Sequence, residues 1–144
     1  MAIRTIALLE APAAQPRAES KTVPQGSWLE IVDAPQYELP KSNFTSEGTK
    51  IAPGVAEISS PLLVSNKSSG EARVTAQIVR QNGDVSEFAT DYPVPVADAL
   101  PLPLQGQFLL AGDIVQVMSD TADALDATIS WTEGQAEQGV ENVN

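Results

Sequence analysis

The chain has 144 residues, a hydrophobic fraction of 42% and a formal net charge of −11, and it contains neither cysteine nor histidine. A chain of this length is typical of one domain that buries a core without disulfide bonds. The missing residue types exclude disulfides, thiolate or imidazole zinc sites, cysteine nucleophiles and Ser–His triads. We therefore expect a non-catalytic protein that uses no cofactor.

The negative charge is confined to the C-terminal part of the chain. Up to Arg80 there are 8 acidic and 8 basic residues, whereas from Gln81 onward there are 11 acidic residues and no lysine or arginine. An acidic surface repels the phosphate backbone, so we expect no nucleic-acid partner. Solubility is the simplest interpretation of this charge, and a basic partner or a hard cation is the alternative.

The first ten residues are apolar but do not form a continuous hydrophobic segment. Arg4, Thr5 and Glu10 interrupt the run, which falls short of the roughly 7–15 apolar residues of a secretory signal. No stretch approaches the roughly 18–20 apolar residues of a membrane span. We expect a protein that is made in the cytoplasm, is not secreted and has no membrane partner.

Residues 1–48 have the composition of an extended N-terminal arm. Two short strand candidates, residues 3–9 and 27–32, are separated by a run rich in proline and alanine. Proline lacks an amide donor and disfavours helix, and this region contains five: Pro12, Pro16, Pro24, Pro35 and Pro40. We predict a loop-rich arm that wraps over its own domain or over a neighbouring subunit.

Residues 49–133 have the pattern of a compact series of short strands. Residues 55–64 are apolar and rich in β-branched side chains. Residues 71–80 alternate between apolar and polar side chains, which is typical of a half-buried strand. Asn82-Gly83 follows as a hairpin signal, and residues 85–92 form the returning strand.

The apolar pattern also predicts the register of this hairpin. A two-residue turn would place Ile78 opposite Glu87, which mixes apolar and polar side chains on one face. A three-residue loop that includes Asp84 places Ile78 opposite Phe88 and Val74 opposite Tyr92. We therefore predict a three-residue or bulged loop.

The rest of the chain continues as short strands. Four prolines between residues 93 and 103 exclude a central strand and predict a crossing between sheets. A turn at residues 111–113 leads into a strand at 114–118, and the last strand alternates over residues 125–131. We predict an all-β fold, an Ig-like or jelly-roll β-sandwich over residues 49–133, with an acidic tail at residues 134–144.

Four aspartates could carry chemistry. A cluster of Asp113, Asp120, Asp123 and Asp126 would suit glycoside hydrolysis or a surface calcium ion. We expect these carboxylates on turns and on the outer face of a strand, where they are solvated. A raised pKa would need an apolar pocket, and the sequence suggests none. Turn formation and capping are the simpler roles.

Aromatic residues are the best candidates for contacts. Trp131 lies on the apolar face of its strand and is expected in the core. Trp28 and Tyr37 fall in the predicted arm, which has little core of its own, so we predict that they anchor a subunit contact. The apolar residues of the first strand candidate, Ile3, Ile6 and Leu8, are the other predicted interaction residues.

Three parts of the chain together form a distinctive pattern. They are residues 51–54 (Ile-Ala-Pro-Gly) with the β-rich run that follows and ends at residues 63–66 (Leu-Val-Ser-Asn), residues 108–117 (Phe-Leu-Leu-Ala-Gly-Asp-Ile-Val-Gln-Val) and residues 125–131 (Leu-Asp-Ala-Thr-Ile-Ser-Trp). This pattern is similar to small β-sandwich virion proteins of tailed bacteriophages, which serve as capsid decoration, neck or tail accessory subunits. Where that family has a "Leu-x-x-Gly-Asp-x-Ile-x-Val" hairpin, Gly112-Asp113 takes the turn position, and the resemblance implies a structural role for it.

The resemblance implies a structural subunit of a bacteriophage particle. Such a subunit would reside in the virion, contact other virion structural proteins in the capsid or tail, and form a homo-oligomer. Its arm and exposed strand edges would add strands across subunit boundaries. A carbohydrate-binding or adhesin module is the first alternative, with Tyr37 and Trp131 as test residues. A hydrolase that uses the aspartate cluster is the second.

Overall fold

The computed structural model describes residues 15–39 and 50–135. This part of the chain forms strands and no helix. In chain order the strands are β1 (Gln15–Thr22), β2 (Leu29–Asp33), β3 (Gln36–Leu39), β4 (Lys50–Ile58), β5 (Leu62–Asn66), β6 (Ala72–Val79), β7 (Val85–Val94), β8 (Ala99–Leu102), β9 (Phe108–Leu109), β10 (Ile114–Ser119) and β11 (Leu125–Gln135).

The strands form two antiparallel sheets, as a β-sandwich requires. One sheet has four strands in the order β2-β10-β6-β7. The other has seven, with β11 at its centre: β1 pairs with β11, β4 and β5 also pair with it, β3 and β9 pair with β4, and β8 pairs with β5. The predicted all-β class is therefore confirmed.

A single hydrophobic core lies between the two sheets. Side chains of β6 alternate strictly between buried and half-buried positions, and those of β10 do the same. Val74, Ile78 and Val117 from one sheet join Leu62 and Ile129 from the other in one buried cluster. The period-two pattern predicted for residues 71–80 and 125–131 is confirmed, because one face of each strand is buried.

The predicted strand at residues 55–64 is two strands in line. β4 pairs with β11 at Trp131 and beyond, while β5 pairs with β11 as far as Thr128. Between them the backbone leaves the ladder, and Ser60 Oγ accepts the backbone N–H of Ser130 at 2.9 Å in place of a carbonyl. Pro61, which has no N–H to contribute, follows this break.

The β6–β7 hairpin has a three-residue loop, although not the one predicted. Arg80 N–H donates to the Asp84 carbonyl at 2.7 Å, so the loop consists of residues 81–83. Gly83, with φ at +96°, completes a turn that a side chain would strain. The predicted pairing of Val74 with Tyr92 is confirmed, because two register shifts lie between them and the loop. Ile78 pairs with Ser86, so its predicted pairing with Phe88 is wrong.

The proline-rich segment behaves as its composition predicts. β7 ends at Val94 on the edge of the four-stranded sheet, and β8 begins at Ala99 on an edge of the seven-stranded sheet. The chain therefore crosses between the sheets here. Pro93 and Pro101 both lie in edge strands, where a missing N–H costs no central ladder bond.

The predicted N-terminal arm is not confirmed. Residues 15–39 contribute β1 and β3 to the seven-stranded sheet and β2 to the four-stranded sheet. Val23, Ile31 and Val32 are buried in the common core. The strand candidate at residues 3–9, and the predicted boundary between residues 48 and 49, lie outside the described residues. The predicted tail also begins within β11, which extends to Gln135.

Candidate interaction surfaces

β1 lies along the sandwich without fully burying any side chain. Seven of its eight residues are exposed, and Glu19 is half-buried. All eight pair with β11 in one unbroken register. Polar contacts support this ladder, with Ser20 Oγ 3.0 Å from Thr128 Oγ1 and Arg17 Nε 3.3 Å from Glu133 Oε1. The strand is therefore held by its backbone and by polar side chains, and both faces are open.

One edge of β1 has no partner strand among the described residues. The Val23 N–H donates to the Leu125 carbonyl at 2.8 Å, and ladder bonds alternate along an antiparallel strand. The odd-numbered residues of β1 therefore face β11. Within the described part of the chain no strand pairs with the opposite side. The N–H groups that point there belong to Ala18, Ser20 and Thr22, while Pro16 on the same side has none.

The other free edges are shorter or less regular. β7 carries two register shifts and Asp91 at a φ of +47°, which bend its edge. β2 has five residues and a register shift against β10, and β8 has four residues, one of them Pro101. Bulges and proline are common means of protecting an edge from other chains. Of the edges in residues 15–39 and 50–135, β1 offers the longest regular ladder.

Asp113 joins two turns at one end of the sandwich. Its side chain is 6% exposed, and its carboxylate accepts N–H groups of Gln81 at 2.8 Å, Leu110 at 2.9 Å and the Arg80 guanidinium at 3.1 Å. Burial alone would raise the pKa of Asp113, but these three donors outweigh it and lower that pKa. The expectation of a solvated carboxylate is wrong here, because the β6–β7 loop lies over it.

Two exposed apolar side chains flank Asp113. Phe108 and Leu110 are each 53% exposed. Together with Arg80 and Ala111 they line a shallow depression of about 380 Å³. Arg80 also donates to the Phe108 carbonyl at 2.6 Å, which fixes the backbone that carries these side chains. Exposed apolar groups on a fixed backbone are suited to a protein contact.

The other three aspartates have separate partners. Asp120 accepts the backbone N–H of Arg73 at 2.8 Å, and Asp126 lies 2.9 Å from Lys67 Nζ. These contacts lower the pKa of both carboxyls, whereas a glycosidase acid needs a raised pKa. Asp123 is exposed at a turn with φ at +53°. In residues 15–39 and 50–135, no group of three or more acidic side chains could hold a metal ion.

The predicted interaction residues fall in different places. Trp28 precedes β2 and is 39% exposed. Tyr37 lies in β3, where its backbone pairs with Ala52, and its side chain is outside the described part. Ile3, Ile6 and Leu8 lie outside the described residues altogether. Their contact with a partner stays a prediction.

Trp131 and Tyr92 lie in different sheets, in β11 and β7. Trp131 is 7% exposed and donates its Nε1–H to Glu133 Oε2 at 2.9 Å, so its predicted core position is confirmed. Tyr92 is 50% exposed, and the segment around it lines a depression of about 310 Å³ that includes Pro95 and Asp98.

Sequence reasoning missed both β1 and the Arg80–Asp113 pair. A signal for β1 was present, since Arg17, Glu19 and Lys21 alternate with small residues at the period of a strand. No local signal could have found the ion pair, because its partners are brought together only when β6 and β10 pair.

The described residues contain no helix that is long and apolar enough to cross a membrane. The chain has no match among protein-family models, curated proteins or solved structures. Its function must therefore be argued from its own surfaces.

Proposed function

We propose that the chain is a non-catalytic structural subunit of a bacteriophage particle, which stabilises the capsid, neck or tail through subunit–subunit contacts. The observation that carries the proposal is β1, a polar eight-residue strand with open faces and with one edge that no strand of residues 15–39 and 50–135 pairs with. Strand addition to such an edge is a recurring mode of association. The partners are other virion structural proteins, and the subunit is made in the host cytoplasm and needs no cofactor.

The roles of the phage-like motif residues support an assembly function. Asp113 of the Gly112-Asp113 turn accepts three hydrogen bonds that join two loops. Asn66, at the end of β5, donates to the Gly70 and Val94 carbonyls at 2.9 and 2.8 Å. Both residues are buried, and the hydrogen bonds of both hold loops of the fold together. We include an Ig-like or jelly-roll topology in the proposal, supported by the chain's crossings between two sheets.

Exposed apolar residues provide a second type of contact. Phe108 and Leu110 lie at one end of the sandwich, and Val85 is 50% exposed at the start of β7. A subunit that assembles through several weak surfaces needs a few apolar anchors within a polar rim. The acidic C-terminal half is then left for solvent or for a basic partner.

The test is to locate the chain in phage particles released by the strain that encodes it. Particles are purified by equilibrium density centrifugation and analysed by mass spectrometry and immunogold electron microscopy. We expect the chain at a fixed stoichiometry in the particle band, with label at the capsid, neck or tail. A chain that remains in the unsedimented fraction contradicts the proposal.

Glycan binding is the second candidate, and Tyr92 favours it. Tyr92 is half-exposed and lines the same depression as Asp98, so an aromatic residue and a hydrogen-bond acceptor border one depression, as sugar recognition requires. A glycan array probed with the full chain and with Tyr92→Ala tests it. Binding that is lost in Tyr92→Ala, but retained in Phe108→Ala, would favour this candidate over assembly.

A further inference from the structure

We propose that two copies of this chain associate through the free edges of their β1 strands, antiparallel and centred on Ser20, so that their seven-stranded sheets become continuous. The proposal rests on the proposed function, because it names the partner of the same strand edge. The occupant is a second copy of the chain, and the argument for it is charge complementarity in one register.

The direction of the backbone groups limits the registers that are available. Ala18, Ser20 and Thr22 point their N–H and C=O groups outward, so these residues must form the hydrogen-bonded pairs. Centred on Ser20, the pairing places Ser20 opposite its own copy and Ala18 opposite Thr22. Each residue of these pairs has an N–H, so the ladder gains roughly six hydrogen bonds.

Charge selects among the allowed registers. Centred on Ser20, the pairing brings Glu19 of each copy opposite Lys21 of the other, at non-hydrogen-bonded positions where side chains are closest. Centred on Glu19, it would bring Glu19 against itself and Arg17 against Lys21, which are like charges. Centred on Ala18, it would place Pro16 in a hydrogen-bonded pair that lacks its N–H.

The side chains of β1 are compatible with pairing to a second copy of the strand. Lysine and proline on an edge strand usually block pairing with other chains. Here the charges alternate in sign along one face, so they oppose the registers that bring like charges together. The register centred on Ala18 also places Glu19 opposite Arg17, and it is Pro16 that disfavours it. The side chains on the other face are small, namely Pro16, Ala18, Ser20 and Thr22, and leave room for a neighbouring strand.

The test uses four variants of the full chain, with mass measured by light scattering and sedimentation equilibrium at low ionic strength. The wild type is expected to be a dimer. Lys21→Glu and Glu19→Lys each place like charges opposite each other and should raise the dissociation constant by about tenfold. The double variant with both changes restores opposite charges and should return the dissociation constant to near the wild-type value.

Glu30→Lys is the matched control. It makes the same change in charge as Glu19→Lys at an exposed residue of β2, which belongs to the four-stranded sheet and lies outside the proposed pairing. It should remain a dimer. Circular dichroism confirms that each variant is folded. A monomeric wild type overturns the proposal. So does a folded double variant whose dimer dissociates as readily as those of the single variants.

Amide hydrogen exchange provides an independent readout. In the dimer the amides of Ala18, Ser20 and Thr22 should exchange more slowly as protein concentration rises. The amides of Arg17 and Glu19 bond to β11 in either state and should show no such dependence. Equal protection of both sets at all concentrations contradicts the pairing.

Failure of this inference differs from failure of the proposed function. A monomeric chain that is still found in purified particles leaves the structural role intact and excludes the β1 pairing. A dimer with the expected charge dependence that is absent from particles retains the pairing and excludes the virion role.

Discussion

Asp113 shows how one buried carboxylate can replace a loop's own hydrogen bonds. The turns at residues 81–83 and 110–113 expose N–H groups that no ladder satisfies, and Asp113 accepts one from each. Arg80 balances its charge and also binds the Phe108 carbonyl. A buried charge with fewer partners would be costly, because desolvation outweighs a single ion pair. Fixing this corner is what keeps Phe108 and Leu110 in a defined position at the surface.

Gly112 is required next to this carboxylate for two reasons. Its φ is +91°, and a Cβ built there would lie 2.6 Å from Gln81 Cγ and 2.8 Å from Gln81 Cβ. A left-handed residue with a side chain costs about 1–2 kcal/mol. We expect Gly112→Ala to lower the free energy of unfolding by more than this, because Gln81 must move and its bond to Asp113 weakens. Urea unfolding followed by tryptophan fluorescence measures the loss.

Gly106 provides a matched control for Gly112. Its φ is also +91°, but a Cβ there meets nothing within 4 Å. Gly106→Ala should therefore cost only the backbone strain, about 1–2 kcal/mol. Equal losses of unfolding free energy in the two variants would show that the contact with Gln81 does not affect stability.

At the scale of elements, β4 and β5 pair with β11 as two strands in line, and a side-chain hydrogen bond bridges the break between them. The hydroxyl of Ser60 accepts the Ser130 N–H at 2.9 Å where the ladder is interrupted. We expect Ser60→Ala to destabilise the protein by about 1–2 kcal/mol, because a part-buried N–H loses its partner. Chemical unfolding measures the change, and exchange of the Ser130 amide should accelerate.

Ser59→Ala is the control for the Ser60→Ala variant. Among the described residues, the Ser59 hydroxyl is hydrogen-bonded to the Ser130 hydroxyl alone, at 3.2 Å and on the exposed side. Its backbone N–H, which donates to the Ser130 carbonyl at 3.0 Å, is retained in the variant. The change should stay within about 0.5 kcal/mol. If Ser59→Ala lost as much unfolding free energy as Ser60→Ala, the result would contradict the role assigned to the Ser60 hydroxyl.

The elements that sequence predicts are those with one buried face. β6 and the first part of β11 alternate because the core takes every second side chain, and the period-two pattern locates both. β1 has no such pattern of apolar residues, since it places none in the core. The sequence also does not predict the break at Ser60, because the apolar residues on either side of it fit one continuous strand.

At the scale of the whole molecule, the parts that sequence could not predict are contacts between distant segments. The acidic residues from Gln81 onward were expected on the surface, and Asp120 and Asp123 are exposed there. Asp113 is buried, because its environment is created by β6, β10 and the loop before β10 together. The free edge of β1 likewise depends on which strands end next to it, and no local pattern contains that information.

The whole molecule should lose stability in acid. The pKa values of Asp113, Asp120 and Asp126 are all lowered by hydrogen bonds that exist only in the folded state. The stability that these carboxylates contribute is therefore fully present above the unfolded pKa of about 3.8, and it is lost as pH falls through their lower folded values. We expect the free energy of unfolding to be nearly constant from about pH 7 to pH 5 and to decline below about pH 4.

Two effects must be separated in this experiment. Protonation of the exposed carboxylates relieves repulsion in a chain of net charge −11, which acts in the opposite direction. Salt at about 0.3 M screens that repulsion but has little effect on Asp113, because its side chain is buried. Urea unfolding in this salt should therefore show a steeper acid loss than at low salt. A variant with Asp113→Asn should be less stable at neutral pH and lose less on acidification, and a loss as steep as that of the wild type would mean that other carboxylates control the acid response.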